Sequence, residues 1–130
     1  MTVGLKASVA NAILDAIGNA TNYTAPTQVW FKLHTGDPGA AGTSNAAAET
    51  TRKQVSYAAA SAGSMATDAD VTWTNVSNTE TYSHISAWDA STSGNFLFSD
   101  DLAASKSVTA GDTFVIPSGS HTVTLGTVAA

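Results

Sequence analysis

The chain has 130 residues with ten glycines, three prolines and no cysteine, which suits one domain and excludes a disulfide framework, a thiolate metal site and a cysteine nucleophile. Ten acidic against five basic residues give a net charge of -5, the wrong sign for a surface that tracks nucleic-acid phosphates. Alanine (24), threonine (19) and serine (15) dominate, while Leu, Ile, Val and Phe together number 24, so the core is thin and partners that bind only the native form can add to its stability.

In chain order, residues 4–18 carry Leu5, Val9, Ile13 and Ile17 at four-residue spacing with Leu14 beside them, the pattern of an amphipathic helix. Gly18 is a fitting end for it. Lys6, Asn11 and Asp15 interrupt the apolar run, which reads neither as a targeting signal nor as a membrane span. A turn-like stretch containing Pro26 follows, and the period then becomes two: Val29, Phe31 and Leu33 share one strand face, Trp30, Lys32 and His34 the other. Thr35-Gly36-Asp37-Pro38-Gly39 ends this strand and opens an exposed loop over residues 35–51, built from Ala, Gly, Ser, Thr and Asn. Arg52 to Ala58 and Val71 to Trp73 are expected as strands on either side of the polar Ser61 to Asp70 stretch. Tyr82 to Trp88, Phe96 to Phe98, a strand at Val108, Thr113 to Pro117 and Ser120 to Leu125 complete about seven, separated by turns at Ser91–Asn95, Gly111-Asp112 and Ser118-Gly119. One domain over 1–130 results: an N-terminal amphipathic helix (4–18) and a mainly β, antiparallel β-sandwich (27–130), without internal repeat or heptad run.

Chemistry is sparse in this pattern. Ser83-His84 and Ser120-His121 resemble nucleophile and base pairs, but neighbours on a strand point to opposite faces and are not expected to meet. Asp68, Asp70, Asp100 and Asp101 could gather oxygen atoms, yet the alternating acids, turn glycine and terminal glutamate of a calcium loop are missing. Asp37 reads as a turn residue, its carboxylate accepting from nearby backbone amides. Phosphate loops and dinucleotide fingerprints are absent. No catalytic, cofactor-binding or metal-binding residue is expected, and the chain does not read as an enzyme. Trp30, Tyr82 and Trp88 fall opposite the small or aliphatic residues of their strands, which offers them either to a covering layer or to a binding surface, sugar recognition included.

Ala12-Ile13-Leu14-Asp15-Ala16-Ile17-Gly18, residues 29–39 (Val-Trp-Phe-Lys-Leu-His-Thr-Gly-Asp-Pro-Gly), residues 85–90 (Ile-Ser-Ala-Trp-Asp-Ala), residues 94–98 and residues 106–113 together resemble a family of small virion proteins of tailed bacteriophages, labelled either head decoration (cement) or tail fibre proteins. That family usually has Tyr-x-Arg after its variable loop; here Glu49-Thr50-Thr51-Arg52-Lys53-Gln54 keeps Arg52 without the tyrosine. The resemblance implies a non-enzymatic virion structural protein. The absence of a repeat or shaft pattern favours a decoration protein on the outer capsid surface, bound to the major capsid protein and self-associating, with a trimer preferred. The alternative is a tail fibre or minor tail protein that contributes to host attachment. Neither nucleic acid nor membrane is expected as partner. Candidate contact residues are Trp30, His34, Asp37, Arg52 and Trp88.

Overall fold

The computed structural model of the chain describes residues 3–125. It is mainly β and antiparallel, with one helix: β1 (Gly4–Leu5), α1 (Ala7–Gly18), β2 (Val29–His34), β3 (Lys53–Val55), β4 (Ser64–Ala66), β5 (Val71–Trp73), β6 (Glu80–Trp88), β7 (Phe96–Val108), β8 (Phe114–Ile116) and β9 (Thr122–Thr124). A five-stranded sheet of order β1-β7-β6-β2-β3 forms the main layer, and the pairs β4-β9 and β5-β8 complete a roughly sandwich-like body.

Alternation in β2 decides which side is core. Phe31 pairs with Ala87 and Leu33 with Ile85, and all four are wholly buried on the inner face. Over them lie Trp73 and Phe114 of the β5-β8 pair, with Phe114 meeting Tyr82 edge-on at 5.1 Å. The scarcity of large aliphatic residues is met by aromatic packing, because each ring removes far more surface from water than an aliphatic side chain does.

Several boundaries differ from the sequence reading. Gly4 and Leu5 form a short strand against Ser99 and Phe98, so the helix starts at Ala7. Gly18 stays helical, and the left-handed residue beyond the helix is Ala20 at φ 53. The polar 61–70 stretch contains β4, paired with β9, which alternation could not reveal in three residues. Phe96 to Val108 is one long strand rather than two, interrupted by a large bulge: Tyr82 pairs with Lys106 and His84 with Asp101, so residues 102–105 of β7 face only Ser83 of β6. The last five residues of the expected sandwich span, 126–130, lie outside the described residues.

The segment expected as an exposed loop is folded back onto the sheet. Ser44 N–H donates to the Pro38 carbonyl, Thr35 N–H to the Asn45 carbonyl and Ala47 N–H to the Leu33 carbonyl. Pro38, Gly42, Ala47 and Glu49 are buried, while residues such as Ala40, Thr43 and Asn45 stay exposed. Gly42 sits on the Phe96 ring, on the outer face of the sheet. The loop is thus a third, partial layer.

Candidate functional site

Beneath that layer lies His34, whose side chain is wholly buried. Its Nδ1 is 2.8 Å from the Ser44 carbonyl, which can only accept, so Nδ1 carries the proton. Nε2 therefore accepts from the Ser86 hydroxyl at 2.7 Å, and Ser86 Oγ in turn accepts from Trp88 Nε1–H at 2.8 Å. Burial holds the His34 imidazole below its ordinary range of ionisation, with the Ser44 carbonyl opposing that shift. A neutral histidine here ties the loop to two strands.

Trp88 is also nearly buried, tilted against Phe96, with the Arg52 guanidinium 4.1 Å above its ring centre. Arg52 Nη1 donates to the carbonyls of Ala90 and Ser93 at 2.8 and 2.7 Å, so one side chain clamps the β6–β7 turn and covers the indole. Within that turn Asp89 accepts from the Asn95 side chain and backbone, which holds its carboxyl below the usual carboxylate range. Trp30, opposite Trp88 across the strands, and Asp37 are half-buried. Asp37 Oδ1 accepts from Gly39 N–H at 2.7 Å, the turn chemistry the sequence suggests. Of the five candidate contact residues, His34 and Trp88 are enclosed by their own chain; Trp30, Asp37 and Arg52 keep a solvent-facing part. Tyr82, another aromatic considered for the surface, is wholly buried.

One expectation about chemistry is corrected. Ser83 Oγ and His84 Nδ1 do meet, at 2.7 Å, because Ser83 stands opposite the bulge where regular alternation fails. His84 Nε2 lies 2.9 Å from Asp101 Oδ1, completing a serine–histidine–aspartate chain. Asp101 borders a cleft of about 410 Å³ beside β8; neither Ser83 nor His84 lines it. His121 is occupied differently: its Nδ1 meets Tyr57 Oη at 3.0 Å, its ring packs on Phe31 and Phe98, and Asp100 Oδ2 stands 3.1 Å from Nε2 without hydrogen-bonding geometry. Asp68 is bonded to Ser56, and Asp70 accepts from Ser118 N–H. The four aspartates thus have separate partners, and no group of three or more potential metal ligands forms among the described residues.

The other notable surface is apolar. A cleft of about 310 Å³ runs between α1 and the body, lined by Leu5, Val9, Ile13, Met65, Leu97 and Leu125 among others. No residue of α1 is fully buried, and Leu14 and Ile17 are 65% and 78% exposed. The sequence shows the stripe; that the fold leaves part of it uncovered is visible only in three dimensions.

Residues 4–124 match the family described as podophage GP4 fiber I protein gp80. The chain belongs to this family. It is therefore a phage virion protein of a family labelled as a fibre, and the match covers every strand and the helix. The family's label agrees with the tail-fibre alternative better than with capsid decoration, the leading expectation from the sequence. No curated protein matches the chain.

Proposed function

We propose that this chain is a non-enzymatic module of a tail fibre of a podophage-like virion, contributing to host attachment. The observation that carries the reading is the fibre-protein family match over residues 4–124. Physical features support it. A rigid antiparallel body with its large loop pinned by buried hydrogen bonds offers fixed surface positions, and Trp30, Asp37 and Arg52 lie partly exposed around that loop. In this reading its partners are further copies of itself and the tail, its address is the tail, and the acidic balance leaves nucleic acid no role.

Two measurements on purified virions test it. Quantitative mass spectrometry against the major capsid protein should find tens of copies per particle, and an antibody to the chain should label the tail in electron micrographs. Hundreds of copies in simple ratio to the shell subunit, with label over the head, would overturn the proposal in favour of capsid decoration bound to the major capsid protein. Purified protein added in excess should also slow phage adsorption to host cells.

A further inference from the structure

Charge is unevenly placed on this acidic chain. Of its five basic residues, Lys32 and Arg52 stand side by side on the outer face of the main sheet. β2 and β3 pair Trp30 with Gln54 and Phe31 with Lys53, and the same register carried one residue further sets Arg52 opposite Lys32. Like charges opposite each other on neighbouring strands destabilise a sheet. Burial, and then the Arg52 charge, hold the Lys32 ammonium below its ordinary range of ionisation. Among the described residues neither cation has a carboxylate in ion-pair contact; the contacts of that kind belong to His84 and His121. Asp89, the acid whose charge reaches Arg52, is held in its own turn by Asn95. A like-charge pair left without a counter-charge breaks a local rule of stability, and such breaks are expected where a surface has a ligand to meet.

We propose that this face, formed by Trp30, Lys32, Arg52 and Gln54, binds a uronic-acid polysaccharide of the bacterial surface, an inference that rests on the attachment role proposed above and names its ligand. Each residue has a group to spare. Trp30 keeps a solvent-facing part, and the electron-rich face of an indole suits the C–H groups of a pyranose ring. Lys32 stands two positions along β2 on the same face, about 7 Å away, a gap its flexible stem can span. Arg52 spends Nη1 on the carbonyls of Ala90 and Ser93, which leaves Nη2 and Nε to share a carboxylate with Lys32. Gln54, exposed beside Trp30, carries both a donor and an acceptor for sugar hydroxyls. A uronic acid bears its carboxylate on a carbon of the ring itself, so one sugar unit can stack on Trp30 and neutralise the cation pair together. The carboxylates of an acidic peptide sit on flexible stems with no rigid ring beside them, and nucleic acid calls for a longer track of cations than this chain of net charge -5 provides.

The test uses the full chain and oligosaccharides cut from pectate, hyaluronate and alginate, which carry different uronic acids, in titration calorimetry at low salt. At least one should bind with a dissociation constant on the order of 0.1–1 mM, and its carboxyl-reduced, neutral form at least about tenfold more weakly. Lys32→Gln should weaken binding about tenfold and Gln54→Ala, at an exposed position, about threefold. Lys106→Gln, the same loss of charge on β7, should change it less than about twofold. Lys32→Gln should also raise or preserve the melting temperature, because it removes the repulsion with Arg52, and this separates a lost contact from a lost fold. No binding of any of the uronates, equal binding of the carboxyl-reduced form or of polyglutamate, or binding that survives both Lys32→Gln and Gln54→Ala would each overturn the proposal. These measurements do not depend on where the chain sits in the virion. Uronate binding that fails while copy number and antibody label still place the chain on the tail strikes the ligand alone; label over the head strikes the attachment role.

Discussion

His34 offers the sharpest quantitative test, because its burial and both of its hydrogen bonds specify a neutral ring. In the unfolded chain a histidine takes up a proton near pH 6.5, whereas burial holds the folded imidazole below that value. A group whose folded value is depressed contributes stability above its unfolded value, and that contribution is lost as pH falls through the window between the two. There the unfolded state binds the extra proton, and stability declines by up to about 1.4 kcal/mol per pH unit. From pH 6.5 to pH 5 the loss attributable to His34 is therefore at most about 2 kcal/mol. His34→Gln removes the titration. At pH 7.5 it should cost about 2–3 kcal/mol, because the Ser44 carbonyl and the Ser86 hydroxyl lose their fixed partner in a buried site. Urea unfolding of both proteins at half-unit steps from pH 7.5 to 5 isolates the effect, since groups distant from residue 34 contribute equally to each series. The stability gap between wild type and variant should narrow as pH falls. A gap that stays constant across the series would refute the reasoning, since it would show that folded His34 takes up its proton as readily as the unfolded chain does.

Gly42→Ala should be the most disruptive single-methyl change in the loop: at φ +71 an added Cβ is strained and would stand within 2.7 Å of the Phe96 ring, so a loss of about 2–4 kcal/mol is expected by thermal unfolding. An unchanged melting temperature would mean that the loop does not press on the sheet. Arg52→Ala should cost about 1–3 kcal/mol through the indole contact and the two carbonyls of the β6–β7 turn, and Arg52→Lys should recover little, because a compact ammonium cannot reproduce the planar fork. Full recovery by lysine would reduce the clamp to simple charge. Ala20→Gly should stabilise by about 0.5–1 kcal/mol, since relief of the left-handed strain outweighs the extra entropy of glycine in the unfolded chain; no gain in the denaturant midpoint would contradict the assignment.

What the sequence determined by itself was every feature that repeats along the chain with a fixed period. Val29, Phe31 and Leu33 announce an inner face at period two, Val9, Ile13 and Ile17 announce a helix at four-residue spacing although Leu5 of the same stripe lies in β1, and Gly and Asp at the turns mark where strands end; burial obeys the first of these almost residue by residue. The virion family was legible too, in motifs spread along the whole chain. Only the tertiary structure decided the fate of the outer face. Residues 35–49 carry mostly small side chains with no period, which is why they read as solvent-exposed, and it is the missing side chain at Gly42 that lets the backbone close over Phe96 while the Ser44 carbonyl reaches His34. The Arg52 guanidinium and the Phe96 ring take Trp88 out of solvent, so alternation correctly placed it on the outer face but could not say what else lay there. Ser83 and His84 met because a bulge broke the alternation that forbade it. The helix is the converse case: its apolar stripe was plain in the sequence, but how much of it the body covers depends on contacts between residues far apart in the chain, and periodicity carries no information about those.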